Sequence, residues 1–402
     1  MEVEVAFPAA RHASRSRSGR PLPGGFRTGV SRPGRLRGPA PRLADTMEQR
    51  GDWPERSPWI RQAVTALPRD GFAPDRLLDW DGHAYQAVDR GTEPDRWAEL
   101  LYADPDTAAI TQVTDGLPTS SLSCQAVVVD MLDSLLLEPG QRVLELGTGN
   151  GWNSALLAQR TGPGLVTSIE VDAGLADVAR PLLPVVDVQV GDGTKGWPAG
   201  APYDRVVSTY AVDQVPWAWV EQTVPGGRIV TPWGHLGHVA LTVAEDGRAA
   251  TGWVQGLAQF MPDRGEQRRT FAQNHDADPD ADERPTRRDL RPLLDNAHLL
   301  LALRVAVPDA RIVPHASSDG LTVWVHDSTA SWAQLTAATI RQSGPRRLAD
   351  ELDAAWDQWL GLGSPELYDY GLTVTVDEQY AWAIDPETGP RWPASASNLV
   401  RG

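Results

Sequence analysis

The sequence predicts an α/β fold: a mainly parallel sheet, preceded by a helical cap and followed by an α+β unit. Three observations carry this. Short apolar runs alternate with amphipathic stretches from Ala126 to Pro232, the strand–helix–strand signature of parallel pairing. Residues 143–151, Val-Leu-Glu-Leu-Gly-Thr-Gly-Asn-Gly, read as a buried strand turning tightly into a helix. At 402 residues the chain is long enough for two domains and a large core.

Residues 1–46 hold nine arginines against Glu2, Glu4 and Asp45, in a Gly/Pro/Ser-rich context that reads as a disordered basic tail. Met47 is a plausible start of the natural protein. Residues 47–118 form the cap, with a short helix and turn from Trp59 to Pro74. Residues 119–265 form the parallel-sheet domain. In it Thr119–Gln125 reads as a polar loop and Ala126–Leu137 as a helix closed by Pro139-Gly140. Its strands are 143–146, 165–169, 185–190, 205–209 and 228–231, with 238–244 and 252–261 as a closing antiparallel pair. Residues 266–292 read as a charged linker and 293–402 as a separate α+β domain. There 299–307 and 321–325 look strand-like, and Leu348, Leu352, Trp356 and Leu360 mark a helix face. Residues 373–376 and 380–383 suit a hairpin.

Composition excludes several classes. The whole chain carries a net −16 although residues 1–46 contribute +6, so the remainder stands at −22, which argues against nucleic acid as the main partner. One cysteine, Cys124, rules out a disulfide framework, and no Cys/His spacing suits zinc. No apolar run spans a membrane and no signal region begins the chain, so a cytoplasmic location is the expectation. Asp276, Asp278, Asp280 and Asp282 alternate but lack the glycine and terminal glutamate of a calcium loop. His235 and His238 lack a third ligand. No metal is expected.

The chemistry-bearing stretch is the loop with Gly147, Gly149 and Gly151, spaced Gly-x-Gly-x-Gly, with Glu145 two residues before it. Alternate glycines let backbone approach a bound molecule closely. A dinucleotide loop would instead read Gly-x-Gly-x-x-Gly. Glu170, at the tip of the second strand, can accept both hydroxyls of a ribose. Asp192, between Gly191 and Gly193 after the third strand, can accept from an adenine amino group.

The acid with Gly-x-Gly-x-Gly looks like the S-adenosylmethionine loop of Rossmann-like class I methyltransferases. Across residues 60–265 the chain further resembles protein-L-isoaspartate O-methyltransferases. The resemblance rests on Ala66-Leu67-Pro68-Arg69 with Phe72-Ala73-Pro74, on Thr119-Ser120-Ser121-Leu122-Ser123, and on Glu145 to Gly151. Gly191-Asp192-Gly193 with Gly196-Trp197, Ala201-Pro202-Tyr203-Asp204 and Pro225-Gly226-Gly227-Arg228 follow in the family's order. Val215 to Thr223, Thr231-Pro232-Trp233-Gly234 and the long C-terminal extension are similar to methyltransferases found with ATP-grasp peptide maturases.

The resemblance implies S-adenosylmethionine as cofactor, held by Glu145, Gly147, Thr148, Gly149, Gly151, Glu170, Asp192 and Gly193. It implies Thr119, Ser120, Ser121 and above all Ser123 as donors aiming an acceptor carboxylate. The expected acceptor is a peptide or protein bearing Asp or isoAsp, with a macrocyclised precursor peptide favoured; neither nucleic acid nor membrane is expected. Two positions depart from the family: Gln125 stands where Pro is usual, and Tyr210-Ala211-Val212 where small residues are usual. Isoaspartyl repair, and a cofactor-binding protein without turnover, stay as alternatives.

Overall fold

The computed structural model describes residues 39–234, 237–258, 281–318, 320–327 and 329–394. The first described element is helix α1 (Pro39–Arg50), followed by α2 (Pro58–Ala66). Leu43 and Met47, four apart, are both buried on one face of α1, against the same core as Ile60. The sequence boundary at residue 46 therefore falls inside a packed helix. The Arg-rich composition around it masked that apolar pair.

A four-stranded antiparallel sheet comes next, ordered β2-β1-β3-β4. It is built from β1 (Arg76–Trp80), β2 (Tyr85–Asp89), β3 (Ala109–Thr114) and β4 (Leu117–Leu122), with α3 (Pro94–Tyr102) between β2 and β3. The segment expected to be a polar loop at 119–125 is thus mostly strand. Asp115 and Gly116 both have positive φ, at 52° and 78°, the two-residue turn that closes a hairpin between β3 and β4.

The parallel core follows the expected alternation: α4 (Gln125–Ser134), β5 (Val143–Leu146), α5 (Trp152–Thr161), β6 (Val166–Glu170), α6 (Ala173–Ala179) and β7 (Asp187–Val190). It continues through β8 (Tyr203–Ser208), α7 (Trp217–Glu221), β9 (Thr223–Trp233), β10 (Gly237–Val243) and β11 (Ala249–Leu257). Strands β5 to β9 pair in parallel, and β9, β10 and β11 close antiparallel. β5 lies inside the sheet, with all four of its residues buried. The Gly-rich loop therefore leaves the middle of the sheet at its carboxyl end, where open α/β sheets bind ligands.

The C-terminal third departs from a separate unit behind a linker. β12 (Asp282–Pro285), inside the expected linker, pairs with β16 (Thr339–Ser343) at the edge of a second sheet, ordered β12-β16-β15-β14-β13. The other strands there are β13 (Arg311–Ser317), β14 (Gly320–His326) and β15 (Trp332–Thr336). Residues expected as a strand at 299–307 lie mostly in helix α9 (Ala297–Ala306), after the short α8 (Pro292–Asp295). A run apolar on all sides carries no period, and the deciding signal was local: Asn296 caps α9 by accepting from the Leu299 amide at 3.0 Å.

Helix α10 (Leu348–Gly361) buries Leu348, Leu352, Trp356 and Trp359. Strands β17 (Tyr370–Thr375), β18 (Gln379–Ala383) and β19 (Arg391–Pro393) then join the main sheet. β17 pairs with β11, giving ten strands ordered β19-β18-β17-β11-β10-β9-β8-β5-β6-β7. One buried core runs from this sheet through α9 and α10.

Candidate active site

The loop after β5 is fixed by backbone bonds to its neighbour. The amides of Gly147 and Thr148 donate to the Ile169 carbonyl at 2.8 and 3.2 Å, and Thr148 Oγ1 lies 2.6 Å from Ser168 Oγ. Gly147 adopts φ +95°, and a Cβ there would sit 2.4 Å from Thr209 Oγ1. That position accepts only glycine. Gly151 precedes α5 with φ +86°.

Glu170, 5% exposed, faces this loop. Its Oε2 accepts the Gly149 amide at 2.9 Å and its Oε1 the Asp172 amide at 3.0 Å. A carboxylate offers about four acceptor sites, so two remain for a ligand's hydroxyls. Asp192 accepts from the Thr194 hydroxyl at 2.6 Å and the Thr194 amide at 3.0 Å, with Lys195 Nζ at 3.5 Å. These bonds, Thr194's hydroxyl first, hold its carboxyl below the usual range, so it is ionised at neutral pH. The Gly193 carbonyl is held by Trp219 Nε1 at 2.8 Å, and a Cβ on Gly193 would strike Tyr210 Oη at 2.5 Å.

Glu145 stands apart from the other expected ligands. It is fully buried in β5 and accepts from Asn153 Nδ2 at 2.8 Å, Ser168 Oγ at 2.6 Å and Ser154 Oγ. It does not line the cavity between the Gly-rich loop and β4. Desolvation, the dominant effect, raises its carboxyl to about 7 against the lowering by those three bonds. Its place is under the loop, anchoring the start of α5 to β5 and β6. Sequence spacing put it near the loop but could not tell which way a strand residue faces.

A cavity of about 240 Å³ lies between the Gly-rich loop and β4. Gly147 to Asn153, Glu170, Asp192 and Gly193 line one side, and Thr119 to Cys124 the other. Ser120 is buried, with its Oγ 3.9 Å from the Cβ position of Gly149. Thr119 Oγ1 donates to Gln112 Oε1 at 3.0 Å. Thus Thr119, Ser120, Ser121 and Ser123 share one cavity with every expected cofactor residue except Glu145. Val128, Met131, Leu132 and Val207 supply apolar wall, and Tyr210 lines it too. Burial pushes the Cys124 thiol up to about 11, leaving it protonated and unreactive.

Sequence reasoning missed Arg69 as a site element. Its guanidinium donates to the carbonyls of Leu122 and Ser123, contacts between residues more than fifty positions apart. His235 and Asp276, Asp278 and Asp280 lie outside the described residues. His238 is buried, 3.2 Å from Ser134 Oγ. Among the described residues no cluster of His, Cys, Asp and Glu is built to hold a metal, and no helix is long and apolar enough to cross a membrane.

Residues 55–254 match the family model of protein-L-isoaspartate(D-aspartate) O-methyltransferase (PCMT). A protein-L-isoaspartate O-methyltransferase of Anaeromyxobacter dehalogenans (strain 2CP-C) is 37% identical over 202 residues, 47% of this chain and 93% of that protein. One from Methanopyrus kandleri is 34% identical over 222 residues, 53% of this chain and 86% of its own. A solved protein-L-isoaspartate O-methyltransferase, 19% identical, superposes with a TM-score of 0.45, covering 86% of this chain and 99% of its own. The matched span holds the glycine loop, Glu170, Asp192 and the hydroxyl-bearing strand, and on that basis the chain belongs to the protein-L-isoaspartate O-methyltransferase family of S-adenosylmethionine-dependent enzymes.

Proposed function

We propose that this enzyme esterifies the side-chain carboxylate of an aspartyl residue in a macrocyclised, ribosomally made peptide, giving a methyl ester that can close to a succinimide. The observation that carries the acceptor class is the facing of two surfaces across one cavity: the cofactor loop, and a strand bearing Thr119, Ser120, Ser121 and Ser123. A carboxyl acceptor with a pKa near about 4 is already ionised at neutral pH. It needs no strong base, only donors that aim it and walls that exclude water.

The chain's residues fit the cofactor. The loop positions where a Cβ would collide, Gly147 and Gly193, leave bare backbone beside the two acids. Glu170 would accept the ribose hydroxyls and Asp192 the adenine amino group, while Gly149, Thr148 and Gly151 would border the rest. Bound there, S-adenosylmethionine would supply an electrophilic sulfonium methyl to the acceptor carboxylate oxygen, with S-adenosylhomocysteine as the leaving group. The hydroxyls of β4 and the following Ser123 orient the acceptor oxygens.

The peptide-tailoring reading is favoured by the chain's own departures. Tyr210, where small residues are usual, lines the cavity, and Gln125, where proline is usual, is buried against Met47 just after the cavity-lining Cys124. The C-terminal extension adds strands to the catalytic sheet itself. The test is mass spectrometry after incubation with S-adenosylmethionine and three peptides: isoaspartyl, its linear Asp twin, and a side-chain-cyclised Asp peptide. A gain of about 14 Da, followed by loss of methanol to a species about 18 Da lighter than the starting peptide, on the cyclised peptide alone supports tailoring. Gain on the isoaspartyl peptide alone makes this a repair enzyme, and no gain on any of them refutes the carboxyl acceptor.

A further inference from the structure

Arg69 is a buried cation with an unusual set of partners. It is 1% exposed, and its guanidinium donates to the carbonyls of Leu101 at 2.9 Å, Leu122 at 3.1 Å and Ser123 at 2.8 Å. Among the described residues no carboxylate acts on it. Its guanidinium carbon lies 5.3 Å from the ring centre of Trp152, the residue after Gly151. Trp152 Nε1 in turn donates to the Leu67 carbonyl at 2.8 Å.

Burial lowers the guanidinium to about 10, so it keeps its charge at neutral pH. A buried cation bonded to carbonyls, with no carboxylate among the described residues to balance its charge, is costly unless something gains from it. The two acceptor-side carbonyls point at Arg69. In planar trans peptides the amide N–H of Ser123 and Cys124 must then point the opposite way. Both residues line the cavity. One side chain therefore fixes the end of the acceptor strand, sets the direction of its peptide dipoles and rests on the first residue of the cofactor helix.

We propose that Arg69 is a positioning residue that clamps residues 122–124 to the start of α5 and biases that loop towards an anionic acceptor, touching neither substrate. The anionic half rests on the carboxyl-acceptor reading above; the clamp does not.

The test uses the full chain and two variants, Arg69→Met and Arg69→Lys. In Arg69→Met the KM for the methylated peptide should rise about ten-fold or more, because a charge-assisted set of bonds is lost. The dissociation constant of S-adenosylhomocysteine should stay within about two-fold, and Arg69→Lys should recover part of the KM. Amide exchange of Thr119–Cys124 should slow when S-adenosylhomocysteine binds the unmodified protein, and this slowing should be lost in Arg69→Lys.

Unchanged KM in both variants, or KM and cofactor affinity worsening in parallel, would overturn the proposal. Where Arg69→Met does not fold, the same split in Arg69→Lys decides. If the unmodified enzyme methylates no Asp or isoAsp peptide, the functional reading falls and the exchange measurement judges the clamp. No ligand-induced slowing at 119–124 in the unmodified protein would refute the clamp outright.

Discussion

The Glu170 carboxylate accepts the Gly149 amide proton at 2.9 Å, so the acid at the tip of β6 shapes the loop it faces. Its second oxygen is tied to the Asp172 amide. Glu170→Ala removes a loop restraint and, on the proposed reading, the two acceptor sites assigned to ribose hydroxyls. Bonds to a charged group contribute about 1.5–3 kcal/mol each. Losing two ligand bonds raises the cofactor dissociation constant by at least about 100-fold, read by titration calorimetry. Glu170→Gln should fall between. Unaltered affinity in Glu170→Ala would remove Glu170 from the cofactor site.

Gly147 is the loop position with least tolerance. Its φ of +95° is strained for a side chain, and the nearest atom to an added Cβ is Thr209 Oγ1 at 2.4 Å. Gly147→Ala should destabilise the fold by at least about 1–2 kcal/mol from backbone conformation alone, with weakened cofactor binding. Adding Thr209→Ala relieves the collision but not the backbone strain. Denaturant melts of the double variant should therefore recover only part of the loss; full recovery would show the conformation is not strained.

Ser123 lies where the Arg69-held backbone leaves β4 and enters α4, and its residue lines the cavity. On the proposed reading Ser123→Ala removes one donor to a charged acceptor, worth about 1.5 kcal/mol. Turnover should drop about ten-fold while cofactor affinity holds within two-fold. Equal loss of both would place Ser123 on the cofactor side instead.

What the sequence made legible was local. The Gly-x-Gly-x-Gly loop, Glu170 and Asp192 each sit at the end of a strand whose apolar run announces it, and all line the cavity. β4 was hidden because its consecutive Thr119, Ser120 and Ser121 read as loop, although the Asp115-Gly116 turn before it is a hairpin signal. Glu145 was misplaced because facing within a strand depends on neighbours. Arg69 joins three carbonyls distant in sequence, which no local pattern encodes. The strand pairing of β17 with β11 is likewise a contact between segments more than a hundred residues apart.

Glu145 carries a pH signature. Its carboxyl, near 4.5 in the unfolded chain, is raised to about 7 in the fold, chiefly by desolvation. The folded state then holds the proton more tightly, so its contribution is fully present below about 4.5 and lost as pH rises through about 7. The loss amounts to up to about 3 kcal/mol. Glu145→Gln cannot ionise and can still bond Asn153, Ser154 and Ser168. Its melting temperature should fall less between pH 5 and pH 8 than that of the unmodified protein. Parallel curves would mean Glu145 does not titrate in that window.

The C-terminal strands extend one edge of the catalytic sheet. β17 covers the edge of β11 from Ala249 to Trp253, and Tyr370, Leu372, Val374, Ala381 and Trp382 are buried there. Trp382 meets Trp253 edge-on at 4.4 Å, and Gly371 lies so close to Trp382 that an added Cβ would approach within 2.2 Å. Removing residues 293–402 would leave β11 as a bare edge and strip apolar cover from the core shared with α9 and α10. Exposed edges of that kind pair with other chains, and burying a large side chain contributes about 1.5–3 kcal/mol. A chain ending at residue 292 should therefore be aggregated or lack a cooperative melt, and should not bind S-adenosylhomocysteine. A soluble, monomeric truncated chain with undiminished affinity would show instead that the extension folds apart from the catalytic sheet.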